Sequence, residues 1–275
     1  MIRNSMLRTF ALSGRAGIGL GVATLIAALA VANGFLDLRS LIITVGGALA
    51  VTWATFPAKR LRAAWSQLAD ALKRSTDLEL DEAEDVVVLF KRLSKIYRVE
   101  GARALERAAE ASTEGFLRQA LERVLEATTA EELRETLHGD VRAALAEGEA
   151  ARSVFLTMGK LFPAFGLIGT LIGLALMLRN LGSQDLSSIG PGLGISIMTT
   201  LYGAVLANAV VLPLATKLQT HLARRRLLMQ MVIDGAEMVF RRELPTRIER
   251  TLRAYHGLPA REDLNGVTLL TERAA

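Results

Sequence analysis

Leu161–Leu178 reads LFPAFGLIGTLIGLALML, a run without a charged residue held between Lys160 and Arg179. A helix rises about 1.5 Å per residue and the hydrocarbon core of a bilayer is about 30 Å thick, so roughly 20 mostly apolar residues suffice to cross it. Three more blocks match this one. Ala16–Phe35 lies between Arg15 and Asp37, and Ser40–Phe56 between Arg39 and Lys59. The uncharged stretch Leu186–Thr216 precedes Lys217. It opens on a polar, glycine-rich run (187–194), so its helix is expected to begin near Pro191. The expected fold class is an all-α membrane protein: four transmembrane helices with a helical cytoplasmic domain.

Composition agrees with that pattern. The chain has 275 residues, 51% hydrophobic and 22% charged, with mean hydropathy +0.32. Apolar residues must therefore be gathered in blocks. Net charge is +5. A basic balance suits nucleic acid, but in a membrane protein it marks cytoplasmic loops, and no nucleic-acid partner is expected. With no cysteine there are no disulfides, thiolate metal sites or thiol nucleophiles. His138, His221 and His256 are scattered without metal-ligand spacing. No nucleophile–base pair, phosphate loop or metal cluster is visible, so an enzyme is not expected.

Orientation follows from Lys and Arg. The short connections 36–39 and 179–190 carry only Arg39 and Arg179 as cations. Arg3, Arg8 and Arg15 precede the first block; Lys59, Arg60 and Arg62 follow the second; Lys217, Arg224, Arg225 and Arg226 follow the fourth. Both termini and the long central loop are thus expected in the cytoplasm, in a multi-pass protein of the bacterial inner membrane. A cleaved signal peptide is the competing reading of the first block, although that block exceeds the usual signal core.

The chain divides into 1–58 with the first two spans, 59–153 as a cytoplasmic helical domain, 154–218 with the third and fourth spans, and 219–275 as a cytoplasmic helical tail. In the domain 59–153, Val86, Val87, Leu89, Phe90, Leu93, Ile96 and Tyr97 recur at helical spacing, as do Leu117, Leu121, Val124 and Leu125. Gly101 is expected to separate helices Thr76–Arg98 and Ala102–Glu110, and Gly139 and Gly148 are further candidate breaks. The tail is amphipathic to residue 255 with a break at Pro245, and 258–275 has no strong pattern.

None of the four blocks contains Asp, Glu, Lys, Arg or His. Proteins that move ions usually keep an ionisable group at membrane depth. Either this chain moves none, or a partner supplies the carboxylate. In the third block Pro163, Gly166, Thr170 and Gly173 share a face; in the fourth, Ser196, Thr200, Gly203 and Ala207 do, with Thr199 and Asn208 beside them. Two readings stand open for these small-residue faces: ordinary close packing of helices, or a wall around a polar path or a charged partner helix. Pro163 and Pro213 each free a carbonyl one turn earlier. That makes either a packing kink or a polar port near the cytoplasmic mouth.

These segments resemble the MotA/PomA family. Pro163–Gly173 (PAFGLIGTLIG) is similar to its third-helix signature. Ile189-Gly-Pro-Gly192, Thr199-Thr-Leu-Tyr-Gly-Ala204, Leu206-Ala-Asn208 and Leu212-Pro-Leu-Ala215 are similar to its fourth. Asp37–Gly47 resembles the second-span entry and Gly235–Tyr255 the tail, so the likeness covers nearly the whole chain. The resemblance implies an ion-conducting stator subunit of the flagellar motor, a homopentamer around a dimer of a MotB/PomB-like single-span partner that supplies the ion-binding Asp. It implies contact with the rotor protein FliG through an Arg and a Glu eight apart flanking a Gly, here Arg98, Gly101 and Glu106. Val99 and Arg103 depart from the family run, and solvated helix charges are the alternative for this pair. Thr170, Thr199 and Thr200 match the threonines of sodium-type members, with Pro163 and Pro213 completing the expected pathway. The same hydroxyls can back-bond to their own helices. The transported cation, sodium or proton, is cargo, and no bound cofactor is implied. The alternatives are a TolQ/ExbB-like energiser, a gliding or other ion-driven motor unit, or a transporter or scaffold without a motor role.

Overall fold

A computed structural model describes residues 37–73, 76–111, 115–180 and 189–255. The first apolar block, Ala16–Phe35, lies outside these residues, as do the connection 181–188 and the segment 256–275. Among the described residues every element is helical. They divide into two units, 37–73 with 147–222, and 76–146 with 223–255.

Three helices are long and apolar enough to cross a membrane, Leu38–Thr55, Ala130–Arg179 and Ile189–Phe240. They contain the second, third and fourth blocks read from the sequence. In the first unit, α1 (Leu38–Leu41) continues through a π-helical turn, Ile42–Gly46, into α2 (Gly47–Thr55). Extended Phe56 and then Pro57 end this span, and α3 (Ala58–Lys73) starts anew. Ala64, Leu68 and Ala71 form its buried side. Trp65 meets the ring of Phe155 edge-on, centroids 5.4 Å apart.

The third span belongs to α7, which runs unbroken from Ala130 to Asn180. Gly139 and Gly148, read as candidate breaks, both lie inside it. A mid-helix glycine costs about 1 kcal/mol relative to alanine, which a helix of this length absorbs. Gly148 also has a reason to be there, because a Cβ at that position would overlap Leu222. The fourth span is α8 (Ile189–Val205), a second π turn (Leu206–Val211) and the start of α9 (Leu212–Phe240). Its helix begins two residues before the expected Pro191.

The third and fourth spans pack backbone to backbone. A Cβ on Gly203 would lie 2.6 Å from the Phe162 carbonyl oxygen, and one on Gly192 would lie 2.9 Å from the Gly173 carbonyl oxygen. Helices in lipid gain little from apolar burial against each other, so this close approach supplies the dispersion contact that holds them.

The second unit is built from side chains. α4 (Thr76–Glu100) buries Val87, Phe90 and Leu93, the centre of the predicted stripe; α6 (Gly115–Glu126) buries Leu117, Leu121 and Val124. Gly101, at φ +70°, turns the chain into α5 (Ala102–Ala111). This left-handed conformation is one that side-chain-bearing residues rarely adopt. Pro245 is the first residue of α10 (Pro245–Ala254), where its missing N–H costs nothing. Before it, Arg242 adopts φ 54° and stacks its guanidinium 5.4 Å from the centre of the Tyr97 ring. Buried Ser94 donates to the Glu243 carbonyl at 2.8 Å, and ion pairs Lys91–Glu249 and Arg253–Glu84 tie α4 to α10.

Candidate functional site: a hydroxyl cluster on charge-free helices

Thr170 on α7 and Thr200 on α8 are brought together, their hydroxyls within hydrogen-bonding distance. Thr170 lies nine residues inside Leu161, and Thr200 eleven inside Ile189. At about 1.5 Å per residue, both sit roughly 15 Å in, close to mid-depth. Thr200 is exposed and Thr170 half-buried. The exposed side of α8 runs Leu193, Ile197, Thr200 and Ala204, so the hydroxyl pair is the polar spot on an otherwise apolar face.

Each hydroxyl has one proton and several acceptors. Thr170 Oγ1 can donate to the Gly166 carbonyl at 3.0 Å or to the Ser196 carbonyl at 3.1 Å, and Thr200 Oγ1 reaches the Ser196 carbonyl at 3.2 Å. Donating inward satisfies the protons and leaves both oxygens with lone pairs on the outer side. Two such oxygens can ligate a small cation. Alternatively, a hydroxyl that turns its proton outward stabilises an ionised carboxylate, favouring its charged form.

Thr199 faces elsewhere. It is fully buried, its hydroxyl bonds the carbonyls of Ile195 (2.9 Å) and Ser196 (3.2 Å), and its side chain fills the space that a Cβ on Gly169 would need. Its own carbonyl accepts a long hydrogen bond from Thr44 Oγ1, 3.4 Å away on the π turn of the second span. Adjacent helical residues point about 100° apart, so the two neighbouring threonines serve different surfaces.

Pro163 lies inside α7 with its side chain exposed. Pro213 is the second residue of α9, directly after the π turn Leu206–Val211. A π turn replaces the i→i+4 pattern with i→i+5, and a proline supplies no N–H to an α-helical pattern at that position, so the widened turn accommodates it. Leu212 packs over Gly159, which places Pro213 beyond Pro163 toward the Lys160 end of the third span. Thirteen residues separate Thr200 from Pro213, about 20 Å of helix, so the prolines do not touch the threonine pair. Exposed Asn208, on the π turn, donates to the Ala204 carbonyl at 2.9 Å.

The sequence reading passed over the second span. Ser40 and Thr44 are both fully buried, and Ser40 Oγ contacts the Ile195 carbonyl at 3.5 Å. Asp37 caps this helix through the N–H groups of Arg39 (3.3 Å) and Ser40 (3.0 Å), and its own N–H donates to the Tyr202 hydroxyl at 3.0 Å. The Ser40 hydroxyl, ahead of the backbone bonds, holds the Asp37 carboxyl below its ordinary value despite some desolvation. Two hydroxyl residues four apart after a capping Asp were the available signal.

In the other unit, Arg98 ends α4 and Glu106 lies on α5, both exposed, on either side of Gly101. No ion pair joins them. Instead Glu100 pairs with Arg107 across the corner. Glu100, Arg103, Glu106 and Arg107 line an open hollow of about 580 Å³, of which Arg98 is not part.

The comparisons with known proteins agree with this architecture. Residues 108–231 match the model of the MotA/TolQ/ExbB proton channel family. The uncharacterised protein YtxD of Bacillus subtilis is 33% identical over 79% of this chain and 78% of its own. Motility protein A of Aquifex aeolicus is 31% identical over 84% of this chain and 89% of its own. The flagellar MotAB stator complex from Bacillus subtilis includes a chain of the same fold, TM-score 0.76 at 23% identity, covering 91% of this chain and 97% of that one. The chain therefore belongs to the MotA/TolQ/ExbB proton channel family. Its full-length relatives include proteins named Motility protein A and, in Vibrio alginolyticus, the chemotaxis protein PomA, 29% identical over 80% of this chain and 84% of the relative.

Proposed function

We infer that the chain is the ion-conducting stator subunit of a bacterial flagellar motor, which turns cation flow into torque on the rotor. The observation that carries this is the Thr170–Thr200 hydroxyl pair, exposed at mid-depth on helices that bear no charge of their own. Such a pair can take part in binding a cation only if something else supplies the negative charge.

In this reading the chain spans the inner membrane four times with both termini in the cytoplasm. Five copies surround a dimer of a MotB/PomB-like subunit, whose intramembrane Asp faces the threonines. The transmembrane potential is worth about 2.3 kcal/mol per charge per 100 mV, so each cation reaching that Asp can drive one small angular step. The Arg98 and Glu106 side chains, standing free on either side of the Gly101 corner, address charged groups of FliG. The hydroxyl oxygens favour sodium as the coupling ion, with protons as the other candidate. Pro163 and Pro213 belong to the cytoplasmic end of the pathway, beyond the ion-contacting pair.

The test is Thr200→Ala in cells that also carry the partner subunit. Membrane levels should stay normal, while swimming speed falls severalfold or to zero. Wild-type speed should rise with sodium at fixed pH. Normal swimming of the variant would count against the pathway, and speeds indifferent to sodium would assign the proton.

A further inference from the structure

Ser196 is buried at 4% exposure one turn before Thr200, and it joins the third and fourth spans twice. Its hydroxyl reaches the Thr170 carbonyl at 3.0 Å, while the Thr170 hydroxyl reaches the Ser196 carbonyl at 3.1 Å. Each residue offers its side chain to the other's backbone. The Ser196 carbonyl is also the acceptor shared by Thr199 and Thr200, each at 3.2 Å. A carbonyl has two lone pairs and already serves its own helix, so three hydroxyls cannot all be satisfied there at once. Thr199 has Ile195 in reach and Thr170 has Gly166 in reach, at 2.9 and 3.0 Å. Thr200 is left with Ser196. The position tolerates no larger neighbour, because a Cβ on Gly173 would overlap the Ser196 hydroxyl.

We propose that Ser196 is a positioning residue for the cation-binding threonine pair: its reciprocal clasp with Thr170 fixes the two hydroxyl oxygens at one separation and so sets how tightly the coupling cation is held. This rests on the reading of Thr170 and Thr200 as cation contacts. Ser196 itself does not touch the cation. Its hydroxyl is committed inward, either to Thr170 or, at 3.1 Å, to the Gly192 carbonyl of its own helix. Losing it leaves the Thr170 carbonyl without its cross-helix donor and lets Thr170 shift against Thr200.

The experiment measures swimming speed against cation concentration, sodium at fixed pH and pH at fixed sodium, in cells carrying Ser196→Ala with the partner subunit. For whichever cation drives the wild type, the half-saturating concentration is expected to rise up to about tenfold, the equivalent of one hydrogen bond. Speed at saturating cation and co-purification with the partner should stay near wild type. An unchanged half-saturating concentration would overturn the proposal. So would a fall in maximal speed alone, or loss of the variant from the membrane, since either would make Ser196 a packing residue only. Thr200→Ala separates the two ideas. If it swims normally at every concentration, the pathway reading fails; if it is immotile while Ser196→Ala titrates like wild type, only the role of Ser196 fails.

Discussion

The two units of this chain are held together by opposite means. In the membrane-type unit the third and fourth spans approach until glycine backbones meet carbonyl oxygens, and polar contacts between helices come from hydroxyls. In the other unit large side chains such as Phe90, Leu105, Leu121 and Ile248 fill the interior, and ion pairs link the helices. Water explains the difference. Where apolar surface can leave water, burying it contributes about 25 cal/mol per Å². Between helices already in lipid that gain is absent, and fit must replace it. One unit should therefore fail when atoms are added, and the other should respond chiefly to changes of charge at its surface.

Gly203→Ala is the sharpest way to break the comparison. Its new methyl meets the Phe162 carbonyl, which cannot move aside as a side chain can. Overpacking of this kind costs about 1–3 kcal/mol. Thermal stability of the purified protein in detergent should drop by several degrees and motility should be lost. An alanine accepted without change would mean that the spans are held otherwise.

Charge reversal in the second unit should act on function and leave folding alone. Arg98→Glu with Glu106→Lys alters two exposed side chains that share no ion pair, and exposed charges contribute only about 0–1 kcal/mol. Torque of tethered cells should fall severalfold at normal membrane levels. Unchanged torque would remove the corner from the rotor contact.

The smallest effect concerns Glu249. Lys91, which hydrogen-bonds it, is the main reason its carboxyl lies below the ordinary value, with Arg253 adding to this against some desolvation. A depressed folded-state value means stability is present above the unfolded value of about 4.3 and is lost as pH falls through the folded one. Denaturation midpoints of the wild type should fall over that acid range more steeply than those of Glu249→Gln, and the two should differ most at neutral pH. Parallel pH profiles would mean the Lys91–Glu249 pair adds nothing to stability.

Much of this was readable from residue order. Uncharged length marked the second, third and fourth blocks, Gly101 marked the corner, and Pro245 marked the start of α10. The buried stripe around Phe90 followed from spacing alone. The clasp between Thr170 and Ser196 was not readable, because periodicity says which residues share a face and nothing about the register of one helix against another. The same limit grouped Thr199 with Thr200, although their directions differ by a helical step. Gly148 looked like a break because its partner, Leu222, lies 74 positions further along the chain. The π turn at Ile42–Gly46 has no local signature of its own. The one at Leu206–Val211 has a trace in Pro213, visible only once a missing N–H is asked where its acceptor goes.

That second widened turn has a bearing on how the helix tolerates change in length. It houses one residue more than a regular coil over the same rise, so Leu206–Val211 behaves as an absorbed insertion. Removing a single residue there would restore ordinary winding and swing everything after it, Pro213 included, through about a quarter turn or more. Chimeras that exchange the last span between related chains should therefore be joined before Leu206 or after Leu212, never within the stretch that keeps the two ends in phase.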